Sequence, residues 1–141
     1  MIRRIIYLIP KVIRWLIFFI YLCTIVYASL ASPSSIPKLF NIPHLDKIVH
    51  FIMYFGFCLL AIWCLNEETY DRTAKSFSSI IYWKYPLSLI MGISWGLMME
   101  LFQRIMNIGR HYSVFDLLAN IIGAISGTLL YYYLIQRKLR K

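Results

Sequence analysis

Asp46 and His50 stand four residues apart. A helix through them puts a carboxylate and an imidazole on one face, one turn apart. That pair is suited to general acid–base work, the acid orienting the ring that moves a proton. Farther along, Glu100 and Gln103 are three apart, and Asp116 and Asn120 are four apart. Lys47 and Arg110 bring positive charge, the arginine as a planar fork that matches a carboxylate or phosphate. Three chemistries follow. An anionic group can be held by Lys47 and Arg110, with Gln103, Ser113 and Asn120 hydrogen-bonding around it and Glu100 beside it. A proton can be taken by His50 as general base, oriented by Asp46 or Asp116; Ser113 as a nucleophile has no GxSxG elbow behind it. A metal can be ligated by His50, Asp46, Glu100 and Asp116, but their spacing matches no standard metal motif, so neither metal nor cofactor is expected.

Plainer roles stand beside these. An aspartate at a helix start is often a cap, which covers Asp46 and Asp116. His44 and His111 read as spectators near an interface. A buried Glu–Arg pair can simply pin two helices together.

The elements that must position these residues are legible in the apolar pattern. The chain has 141 residues, 60% of them hydrophobic and only 15% charged. A soluble domain runs nearer about 25% charged. The length allows one domain, 1–141. A membrane-spanning helix needs about 20 apolar residues to cross roughly 30 Å of hydrocarbon. Four stretches qualify: 12–31, 48–65, 86–105 with Pro86 suited to its first turn, and 115–135. The fold class is therefore all-α, a polytopic membrane protein of four transmembrane helices. The first run follows Arg3, Arg4 and Lys11 and ends in small residues, as a signal peptide does. Its apolar core is longer than the usual signal, which favours a retained helix. Cys23, Cys58 and Cys64 lie inside apolar runs without a CxxC pair and read as buried filler.

Basic residues set the orientation. Arg3, Arg4, Lys11 and Arg14 precede or open the first helix. Arg72, Lys75 and Lys84 lie in the middle loop, and Arg137, Lys138, Arg140 and Lys141 form the tail. The other two loops hold only Lys38 and Lys47, and Arg104 and Arg110. Both termini are thus expected in the cytoplasm, in the inner (cytoplasmic) membrane. The net charge of +9 belongs to that membrane face rather than to nucleic acid. Tyr82, Trp83 and Tyr85, and Tyr131 to Tyr133, fit aromatic belts at the inner side.

In this topology every polar residue of the opening paragraph falls at the outer side. A rise of about 1.5 Å per residue puts Glu100 roughly 7–8 Å below the end of its helix, where a lone carboxylate is costly. Arg110, in the short loop above, is its natural partner. Gly92 and Gly96 form one small-residue stripe leading to Glu100; Asp116, Asn120, Gly123 or Ala124, and Gly127 form another. The third and fourth helices are expected to pack along these glycines. Gly56 and Gly109 have no partner glycine one turn away.

The run Asp46-Lys47-Ile48-Val49-His50-Phe51 with Tyr54-Phe55, followed by Glu100, Gln103, Gly109-Arg110, Ser113, Asp116-Leu117-Leu118-Ala119-Asn120 and Gly123, resembles the two signatures of the VanZ-like family. The resemblance covers roughly residues 32–127; His111 departs from it, since the family often has a small hydroxyl residue after the arginine. It implies a small helical protein of the bacterial cell envelope, in a family whose namesake is associated with teicoplanin resistance and has no settled activity. The leading reading is a binding or envelope-modulating protein. Its outer cluster would engage a membrane lipid, a lipid-linked envelope precursor or a lipophilic glycopeptide, affecting glycopeptide susceptibility. The alternative is an intramembrane enzyme acting on a lipid-borne phosphate or ester with His50 as general base. A homo-oligomer is left open.

Overall fold

The structure is a computed structural model that describes residues 9–30, 44–66, 77–106 and 113–136, with backbone alone for 77–82 and 134–136. It holds four helices: α1 (Lys11–Leu30), α2 (Leu45–Leu65), α3 (Phe77–Met106) and α4 (Val114–Leu130). A short π-helical turn, Tyr131–Gln136, continues α4. There is no strand among the described residues. All four helices are long and apolar enough to cross a membrane, α3 over Trp83–Met106 and α4 as far as Tyr133.

The burial pattern is inverted relative to a water-soluble bundle. Val12, Phe19, Ile52, Ile90, Leu101, Phe115 and Leu129 are exposed, while Arg14, His50, Glu100, Gln103 and Asn120 are buried. Such a surface suits hydrocarbon, where apolar side chains face outward and polar ones must turn inward. The central core joins α1, α2, α3 and α4 through Phe18, Tyr54, Phe57, Cys58, Met99 and Ala124. Phe18 meets Phe57 edge-on at 5.2 Å, and Tyr54 stacks on Phe57 at 6.3 Å.

Two expectations about boundaries change. Pro86 does not open its helix; α3 begins at Phe77 and carries Pro86 inside. A ring there removes one backbone hydrogen bond, a loss that nearby hydroxyls and neighbouring helices can offset in membrane helices. Beside the proline, Ser88 donates back to the Tyr85 carbonyl at 3.0 Å. The second helix starts at Leu45, so Asp46 and Lys47 lie in its first turn.

The glycine packing also differs. A Cβ on Gly123 would overlap the Phe51 carbonyl, and one on Gly127 the Phe55 carbonyl. The fourth helix therefore lays its glycines on the backbone of α2, not on α3. The two run parallel, since both pairings advance together along the chain. Gly92 faces Cys58, Phe57 and Ala124, while Gly96 faces Tyr54 and Asn120. So α3 runs antiparallel to both and offers its glycines to their side chains. Gly56 has a packing role after all, because the Tyr21 hydroxyl occupies the space its Cβ would need. That hydroxyl donates to the Met53 carbonyl at 2.9 Å.

Of the aromatic belt, Trp83, Tyr132 and Tyr133 are at the surface, but Tyr85 and Tyr131 are buried in the bundle. Cys58 and Cys64 are buried as expected, whereas Cys23 is exposed on the outer face of α1.

Candidate functional site

The parallel run of α2 and α4 against α3 stacks their side chains in layers one turn apart. The deepest holds Gly92, Cys58 and Ala124; the next holds Gly96, Tyr54 and Asn120. One turn beyond, the same three helices contribute His50, Glu100 and Asp116. One ligand atom of each lies within 4.8 Å of the other two. Glycine at 92 and 96 keeps α3 close enough for the long Glu100 side chain to reach inward.

His50 is oriented from below. Its Nδ1 lies 3.0 Å from Asn120 Oδ1. An amide oxygen only accepts, so Nδ1 carries a hydrogen toward Asn120. The Asn120 Nδ2 and the Tyr54 hydroxyl are buried without a hydrogen-bond partner among the described residues. Gly96 lies between these two side chains, its Cβ position 3.2 Å from Asn120 Nδ2 and 3.2 Å from Tyr54 Cε1.

Asp116 stands where the local sequence dictates. Ser113 is the N-cap of α4, and its Oγ accepts from the Asp116 N–H at 3.4 Å. This is the Ser-x-x-acid start of a helix, with the acid favoured by the helix dipole. The serine put forward as nucleophile or ligand contact thus serves as a cap, and Asp116 is both a first-turn acid and part of the convergent group. Its side chain is 13% exposed and lies 3.5 Å from Lys47 Nζ. Lys47 also binds Asp46 at 2.7 Å. Asp46, 53% exposed, stays at the rim, so of the two acids that might have oriented His50 only Asp116 joins the convergent group.

Gln103 is buried, and its Nε2 donates to the Ser29 carbonyl at 2.8 Å. That donor closes the end of α1 rather than reaching a ligand. Arg110, its expected pairing with Glu100, Gly109 and His111 lie outside the described residues.

Two positions escaped the sequence reading. Tyr54 stands in the first signature, yet its type alone gave it no role. Arg14 was counted only toward orientation, but it is fully buried at the opposite end of the bundle. Its Nη1 donates to the carbonyls of Trp63 at 3.0 Å and Asn66 at 3.1 Å, closing the end of α2. A guanidinium one turn inside an apolar helix is the signal that marks it, since such a charge must find acceptors.

A protein-family model described as VanZ/LLP1 matches residues 3–136, nearly the whole chain. No curated protein and no solved structure matches it.

Proposed function

The chain belongs to the VanZ/LLP1 family, and from that premise we propose that its His50 layer receives the polar head of a lipid-borne envelope component. The class includes a membrane lipid, a lipid-linked glycan intermediate and a lipophilic glycopeptide such as teicoplanin. The observation that carries this reading is the pair of buried donors beneath the layer, Asn120 Nδ2 and Tyr54 Oη, which meet no partner among the described residues. Leaving a donor buried and unmet costs about 1–3 kcal/mol, so each such group calls for a partner, and a polar ligand head supplies one. Lys47, 30% exposed at the rim, gives an approaching anion its first contact. The excess of basic residues at the Arg14 end supports both termini in the cytoplasm, so that the His50 layer lies toward the outer face of the inner membrane.

The test is native mass spectrometry of protein purified in a mild detergent. The wild type should retain a lipid of discrete mass, and Asn120→Ala should lose it while staying helical. Bare wild-type protein under conditions that keep lipid on control membrane proteins would end the proposal. A second reading, an intramembrane hydrolase with His50 as general base, draws support from the ring's fixed orientation beside two carboxylates. It requires turnover of a phosphate- or ester-bearing lipid that His50→Ala abolishes.

A further inference from the structure

We infer that His50, Glu100 and Asp116 form a binding site for one divalent transition-metal cation, of the Zn2+ or Mn2+ kind, completed by the lipid-borne ligand. The inference rests on the same layer being the functional site. Three helices each deliver one suitable ligand atom, and the three atoms fall within 4.8 Å of one another. Ligand atoms at about 2.0–2.2 Å from a tetrahedral metal are roughly 3.4 Å apart, so closure needs a side-chain swing of about 1.4 Å or less. Glu100, with three rotatable side-chain bonds, has rotamers that differ by more than this distance.

The surroundings match what a metal ligand set requires. A metal-bound histidine almost always donates its other ring N–H to an oxygen, which fixes the tautomer. Here Asn120 Oδ1 takes the Nδ1 hydrogen at 3.0 Å, so that Nε2 is the nitrogen that would bind the metal. Two carboxylates offset the charge of a divalent ion, and Lys47 Nζ stands 3.5 Å from one of them at the rim. One imidazole with two carboxylates favours a borderline ion over Ca2+, which takes oxygen from six to eight ligands.

Three protein ligands leave a coordination position open. The buried Asn120 Nδ2 and Tyr54 Oη are two donors one turn deeper, on the side an oxygen bound there would face. A phosphate oxygen of a lipid head, or a water, suits that position. This accounts for donors that meet no partner among the described residues.

Sequence spacing hides such a site. His50, Glu100 and Asp116 come from three separate helices, so no short motif links them. Only the parallel packing of α2 and α4 brings them to one level.

The experiment uses the full chain in detergent, stripped with EDTA and then given Zn2+, Mn2+ or Ca2+ alone. Native mass spectra should show one Zn2+ or Mn2+ per chain at micromolar metal, and none of Ca2+. His50→Ala and Glu100→Gln should each abolish the ion, and Asn120→Ala should weaken it by about 10–100-fold. Should a variant fail to fold, the X-ray absorption edge of the metal-loaded wild type decides, with mixed nitrogen and oxygen ligation expected. Wild type that takes up no transition metal, or His50→Ala that binds it equally well, overturns the site; the carboxylates are then balanced by a proton or a basic side chain. Lipid retention is read in the same spectra. Lipid without metal refutes the metal site alone, and absence of both refutes the layer as a binding site.

Discussion

The two ends of the bundle both bury polar side chains, but in opposite ways. At one end Arg14 reaches across from α1 to the carbonyls of Trp63 and Asn66, where α2 stops. Asn66 in turn donates to the Tyr131 hydroxyl and accepts from Lys84. The Cys64 thiol closes the circle on the Arg14 carbonyl at 3.2 Å. Donors here meet the carbonyls that any helix C-terminus leaves over. At the other end, His50, Glu100 and Asp116 aim at each other from three helices, above donors that remain unmet among the described residues. Polar groups spent on helix ends are architecture. Groups that converge on one another across helices leave room for something else.

Substitutions should separate the two ends. The largest loss of stability is expected for Arg14→Leu, about 3 kcal/mol, because two carbonyls lose charge-assisted hydrogen bonds in a buried place. Thermal unfolding in detergent would show it, with metal and lipid retention at the His50 end unchanged in the folded fraction. An unshifted melting point would mean that the carbonyls find other donors and that the two ends are not distinct in this way. Next comes Gly123→Ala, expected to cost about 2 kcal/mol, since the added carbon meets the rigid Phe51 backbone. Gly96→Ala should cost less, because its neighbours, Tyr54 and Asn120, are side chains that can shift. Equal losses at the two glycines would remove the claim that α4 rests on the backbone of α2. The smallest effect on stability, under about 1 kcal/mol, is expected for Glu100→Gln, which keeps shape and removes charge. That variant should melt like wild type and lose ligand. If it unfolds as Arg14→Leu does, the His50 layer is architecture too.

The four spans were readable because each is a single uninterrupted apolar run, and run length alone decides whether a helix can cross a membrane. Pro86 misled because a proline before an apolar run reads as a first turn, while neighbouring donors allow it inside a membrane helix. The glycine stripes showed which residues share a face. They could not show which neighbour that face meets: Gly92 and Gly96 of α3 do face Ala124 and Asn120 of α4, but Gly123 and Gly127 rest on the backbone of α2. For the site, spacing placed Asp46 and Asp116 equally well beside His50. Only the tertiary arrangement separates them, leaving Asp46 with Lys47 at the rim and drawing Asp116 in. Arg14 was illegible for the same reason: its acceptors lie 49 and 52 residues away.

The parallel course of α2 and α4 bears on how the protein is made. Ribosomal synthesis delivers α2 and α3 before α4, yet the last helix supplies both Asp116 and the asparagine that holds the His50 ring. A chain paused after α3 therefore carries His50 and Glu100 in the membrane without the helix that completes their layer. The interface that brings it in is shaped by Gly123 and Gly127, which dock on carbonyls of a helix already inserted. Assembly order and site formation coincide: α4, made after α2 and α3, completes the layer, and a chain cut within α4 before Asn120 lacks the residue that holds His50.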